Sequence, residues 1–192
     1  MPDTKNVSAS KPSIKGGIWV APEGSKLPTS ASEELDTAFK GLGFVSEDGL
    51  TNENNAKAET IKDWGGETIL TVQTEKPDNF TFKLVEILNV DVLKFIYGSD
   101  NVSGTLETGI TVKANASQPK INAIVIDMIM TEGVLKRIVI PRGIIGETSE
   151  VEYTNSDAVG YEVTVSALAY NDGNESNTHF EYISKPAGGL GE

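Results

Sequence analysis

The clearest strand signal in the chain runs from Val159 to Tyr170. Val159, Tyr161, Val163, Val165, Ala167 and Ala169 fall on one face of an extended backbone, and Gly160, Glu162, Thr164 and Ser166 on the other. A period of two places successive side chains on opposite sides of a strand, so this segment buries one face and shows the other to water. Ile121 to Thr131 has Ile124, Ile126, Met128 and Met130 on one face and a mixed set, Ala123, Val125, Asp127 and Ile129, on the other. That pattern predicts a strand covered on both sides. Thr131-Glu132-Gly133 then leads into Val134 to Ile140, which reads as a hairpin.

Glycine, at 19 positions, and Asn, Asp and Pro break up the remaining chain at short intervals. The stretches between them favour strand, at Ile18 to Ala21, Phe44 to Ser46, Ala58 to Asp63, Thr68 to Glu75, Phe80 to Val85, Gly109 to Lys113, Glu147 to Thr154 and Thr178 to Ile183. The predicted class is mainly β, a β-sandwich or open β-barrel with one or two short α-helices. One helix is predicted from Ser30, whose spacing to Glu33 fits a capping box, with Leu35, Ala38 and Phe39 on one side and Gly41 beyond its end. The other runs from a cap at Asn89 to Tyr97 with Gly98 as its stop; strand is the competing reading there.

At 192 residues one core is enough. The predicted organisation is a flexible N-terminal arm over 1–15, a single domain over 16–184 and a flexible C-terminal tail over 185–192, with no internal repeat of 20 to 50 residues. The chain has no cysteine, which excludes disulfides, thiolate metal sites and a cysteine nucleophile. Its longest strongly apolar stretch, Ala123 to Met130, carries Asp127 and is too short to span a bilayer. The first 17 residues lack the apolar region of a signal peptide, so synthesis is expected to end in the cytoplasm. A net charge of −12 disfavours adsorption to nucleic-acid phosphates.

Catalytic chemistry finds no support in the residues. The only histidine, His179, lies in THFEYI, where alternation sets it beside Glu181 on a surface strand; neither a triad nor HExxH can be built around it. Asn171 to Asn177 lacks the acid spacing of a calcium loop and reads as a hairpin turn. No phosphate-binding glycine motif occurs. Acid pairs such as Glu33 with Glu34 are expected by chance among 28 acids. The expectation is therefore no enzyme, no cofactor and no bound metal.

Particular segments go further. GIWVAPEGSKLP (Gly17 to Pro28), LGFVSEDGL (Leu42 to Leu50) and DWGGETILTVQTEKPDNFTFKLVEILNVDVLKFIYG (Asp63 to Gly98) resemble the first half of the major tail proteins, or tail tube proteins, of long-tailed, non-contractile bacteriophages. The second half is similar only in its number of strands. The resemblance implies a subunit that forms hexameric rings. These would stack into a tube around a tape-measure protein, bounded by tail-tip and tail-terminator proteins. The tube would be part of the virion tail, be assembled in the bacterial cytoplasm, and pass genomic DNA without binding it specifically. In such proteins an inner sheet joins those of five neighbours while a long loop and the terminal arms reach the next ring. On this basis Glu59, Asp63, Glu67, Gln73 and Glu75, alternating with a buried Leu70 and Val72, are candidates to face the lumen. The polar stretch Glu47, Asp48, Gly49, Leu50, Thr51, Asn52, Glu53, Asn54 and Asn55 is a candidate inter-subunit loop. Two alternatives stay open: an adhesion or carbohydrate-binding module of sandwich fold, and the tube subunit of a bacterial injection system. Against the former, Trp19 and Trp64 are expected within strand and turn segments and not in a tip loop.

Overall fold

The computed structural model describes residues 2–13, 16–173 and 175–186. Among these described residues, fifteen strands and one α-helix follow in order: β1 (Ser10–Pro12), β2 (Ile18–Pro22), β3 (Lys40–Gly41), β4 (Val45–Glu53), β5 (Lys57–Lys62), β6 (Thr68–Glu75), β7 (Asn79–Leu84), α1 (Val90–Tyr97), β8 (Val102–Ser103), β9 (Thr111–Val112), β10 (Asn122–Met130), β11 (Leu135–Thr148), β12 (Tyr161–Ala167), β13 (Tyr170–Asn171), β14 (Ser176–Asn177) and β15 (Phe180–Ser184). The main sheet is antiparallel and open, in the order β3-β2-β10-β11-β12-β7-β4, with β1 paired to β10 and β15 to β11. Pairs β5–β6, β8–β9 and β13–β14 form separate two-stranded ribbons.

The long strand β11 organises this sheet. Its first half lies between β10 and β15; its second pairs with β12, and only Gly143 there still faces β10. The change of partner falls at a bulge, where β11 places one more residue than β10 between the Ile124↔Ile140 and Asn122↔Gly143 pairs. Pro141, which has no N–H to give a ladder, sits in that bulge. Gly143 follows because a Cβ there would lie 2.8 Å from Ile124 Cδ1 and 3.0 Å from Val165 Cγ1. A glycine leaves room there for both side chains, one from each flanking strand, to pack across β11.

Both faces of the central strands are covered, as the pattern of β10 predicts. Ile124 and Ile126 join a large cluster with Phe80, Phe82, Leu84, Ile140, Val163 and Val165, closed by Val92, Leu93 and Phe95 of α1. Ala123 and Val125 face the other way, into a smaller cluster with Val139 and Phe39, flanked by Trp19, Leu27 and Leu35. Each large side chain removed from water here contributes about 1.5–3 kcal/mol. Helix α1 begins as predicted: the Asn89 side chain accepts from the Asp91 N–H at 3.0 Å. It ends at Gly98, whose φ of +88° suits glycine.

The helix predicted from Ser30 does not form. Half of its capping box is present, since the Glu33 N–H donates to Ser30 Oγ at 3.2 Å. The carbonyls that would propagate a helix are taken elsewhere: Arg137 Nη1 donates to Ser30 O at 3.0 Å and to Glu33 O at 2.7 Å. The same buried guanidinium binds Asp127, its cross-strand partner, at 2.6 Å and 2.9 Å. Residues 23–39 are thereby fastened as an irregular cover over the smaller cluster.

Other expectations are corrected as well. Glu47 to Glu53 belongs to the edge strand β4 and is no loop; only Asn54 and Asn55 lie beyond it. An edge strand tolerates this polar sequence because its outer side meets water. Of the strand predicted at Glu147 to Thr154, only Glu147 and Thr148 are extended, as the end of β11. In the N-terminal arm, Ser10 to Pro12 pairs with Met128 to Met130 and is not free. His179 is not a surface residue: its side chain is 16% exposed and packs edge-on against Phe80. In the predicted tail, Lys185 pairs with Glu132 at 2.9 Å, while 187–192 lie outside the described residues.

Candidate assembly surfaces

Three features stand apart from the packed body: the β5–β6 hairpin, the polar network at its base, and a cleft beside α1. In the hairpin the register pairs Ala58 with Gln73, Glu59 with Val72, Thr60 with Thr71 and Ile61 with Leu70. Directly paired residues share a face. Glu59, Ile61, Leu70 and Val72 therefore lie on one side, and Ala58, Thr60, Thr71 and Gln73 on the other. Every residue of both strands is exposed.

The expected lumen set is divided by this geometry. Leu70 and Val72 are not buried, at 52% and 44% exposure. Glu59 shares their face, Gln73 takes the opposite one, and Glu75 pairs with Lys57 at the base at 3.1 Å. Asp63 and Glu67 belong to the turn: the Asp63 carboxylate accepts from the Glu67 N–H at 2.8 Å, and the Asp63 N–H donates to Glu67 O at 2.9 Å. One alternating side-chain count cannot place five residues that span a turn and two bulges. Trp64, expected away from a tip loop, occupies this tip fully exposed, and the tryptophan argument against a carbohydrate-binding module lapses.

A network absent from the sequence reading holds the hairpin's base. Asp78, three residues beyond the hairpin's return leg, is buried. It accepts from Asn52 Nδ2 at 2.9 Å and Thr178 Oγ1 at 2.5 Å, and meets His179 Nδ1 at 2.5 Å. Asn52 also donates to Asn79 O at 3.1 Å. Burial opposes ionisation of Asp78, but the hydrogen bonds from Thr178, Asn52 and His179 outweigh it and hold the carboxyl below its ordinary value. Of the candidate inter-subunit residues, Asn52 is thus committed within the chain. Glu47, Asp48 and Glu53 lie along β4, where Asp48 accepts from Ser46 Oγ at 3.1 Å. Among the described residues no group of three or more His, Asp and Glu is placed to hold a metal ion, and no helix is long and apolar enough to cross a membrane.

The cleft has a volume of about 580 Å³ and opens between β2, α1 and residues 114–122. Its floor is apolar at Val20, Phe95, Ile96 and Ile121, and its rim is charged. None of its walls comes from β5 or β6.

An open sheet, an uncovered hairpin and an exposed edge strand are what a subunit shows when part of its packing lies in other copies. A family model described as phage tail tube protein matches residues 4–187. The chain belongs to the phage tail tube protein family. This tail tube subunit is accordingly a structural protein of the virion tail that assembles with itself and with other tail components. No curated protein matches it in sequence.

Proposed function

We propose that the subunit forms hexameric rings that stack into a hollow tube and conduct the phage genome, a structural role and not a catalytic one. Family membership combined with a hairpin bare on both faces carries the reading. A two-stranded ribbon is marginal in water by itself, so β5–β6 calls for a neighbour. The open edge of β4, with Glu47, Asp48 and Glu53, is suited to continue the sheet into the next subunit of a ring.

Six copies at −12 each carry −72, so a channel through them repels phosphate and lets DNA slide. The two hairpin faces then take different tasks. The hydroxyl-bearing face with Thr60, Thr71 and Gln73, which also carries Lys62 by alternation along β5, can turn to a channel; the face with Ile61, Leu70 and Val72 takes cover from protein. Tape-measure, tail-tip and tail-terminator proteins are the proposed partners, and assembly takes place in the host cytoplasm. Negative-stain microscopy of concentrated chain, with and without tail-tip components, is expected to show sixfold rings or hollow tubes. Strictly monomeric material under both conditions would sink the proposal.

A further inference from the structure

The hairpin ends in an indole that nothing in its own chain covers, and this suggests where a neighbour receives it. Trp64 lies between two acids, Asp63 and Glu67, whose backbones close one turn, with the Asp63 carboxylate accepting from the Glu67 N–H. Tryptophan buries about 150–250 Å² when it is covered, and a large exposed apolar group on a rigid turn marks a contact site. The cleft beside α1 has the complementary properties. Its 580 Å³ falls within the range of about 300–1,000 Å³ typical of small-molecule pockets, which is room enough for an indole.

The charges agree as well. Lys40 and Lys94 stand at the rim and, among the described residues, neither has an ion-pair partner. Two of the acids beside them are already engaged, Glu23 with Arg142 and Asp100 with Lys120, both at 2.6 Å. Asp91 on α1 is the remaining acid of the lining. The rim thus offers two cations without a carboxylate partner, Lys40 donating only to Thr37 O at 3.3 Å, to a tip that carries two anions.

We propose that Trp64 seats in the α1 cleft of a second copy of the chain, with Asp63 and Glu67 against Lys40 and Lys94. The inference rests on the self-assembly reading and adds the two surfaces that meet. Donor and acceptor patches differ, so the contact is head-to-tail, and each subunit gives one tip and receives another. Buried tryptophans are among the residues that dominate interface energies.

The absence of cysteine makes a direct test possible. A full-length chain carrying Glu67→Cys and Lys94→Cys, oxidised at assembling concentration, is expected to give a ladder of covalent multimers beyond the dimer on a non-reducing gel; either single variant stops at the dimer. Trp64→Ala is expected to leave the melting curve unchanged and to raise the concentration needed for assembly at least 30-fold by sedimentation. Assembly of Trp64→Ala at the wild-type concentration, or assembled double-cysteine protein without a ladder, would overturn the contact and leave the tube reading standing. Wild-type chain that never assembles would overturn both. An unaffected assembly combined with Trp64-dependent capture of a sugar or of lipid vesicles would assign the indole to another ligand and equally defeat the proposal.

Discussion

Two antiparallel hairpins of this subunit, β10–β11 and β5–β6, carry similar alternation and have opposite fates. In β10–β11, Ile124, Val125, Val139 and Ile140 are all fully buried, because α1 and the neighbouring strands cover one face and residues 23–39 the other. In β5–β6, Ile61, Leu70 and Val72 remain about half exposed, at 50%, 52% and 44%. Alternation determines which side chains share a face; it says nothing of what will lie against that face. A packed hairpin is explained within its chain, whereas a bare one points to another chain.

The contrast can be broken from the packed side first. Phe80→Ala, in the centre of the large cluster, is expected to cost about 3–5 kcal/mol in denaturant unfolding, the range for emptying a well-packed aromatic site. A cost below 1 kcal/mol would mean that the body is no more tightly packed than the hairpin.

At the junction of the two regions the expected effect is smaller. Asp78→Asn leaves the shape and removes the charge, and about 1–3 kcal/mol of stability at neutral pH should go with it. Because the folded carboxyl is held below its ordinary value, its contribution is present above about pH 4 and is lost as pH falls through the folded value. The acid limb of the wild-type stability curve should therefore be steeper than that of Asp78→Asn. Parallel limbs would show that the network does not stabilise the charged form.

The smallest effect belongs to the bare face. Ile61→Ser with Leu70→Ser is expected to change the stability of the isolated subunit by no more than about 0.5 kcal/mol, as at exposed positions generally, while tube formation is lost. A large drop in the melting temperature of the monomer would show that the face already has cover in its own chain.

Much of the body was legible in local pattern. Thr68 to Glu75 and the Asn89 cap of α1 appear as predicted, and both-sided burial of β10 follows from its mixed faces. Failures occurred where a distant group or an assembly edge decides. Nothing near Ser30 reveals that Arg137 will claim its carbonyl. The polar residues of β4 look like a loop because strand scales assume half-burial, which an edge strand does not have. His179 and Thr178 lie about 100 residues from Asp78, so their network has no local signal. The hairpin's existence was readable, but its partner was not, since a single chain does not contain it.

The Arg137 clasp also imposes an order of events on folding. Its guanidinium reaches Ser30 across 107 residues of sequence, from a seat beside Asp127 that exists only once β10 and β11 have found their register. Contacts this remote are late ones, because the chain must close a long loop before they repay it. The newly made polypeptide should thus complete its central ladder first and latch 23–39 down last, briefly leaving Val125 and Val139 open to capture by a chaperone.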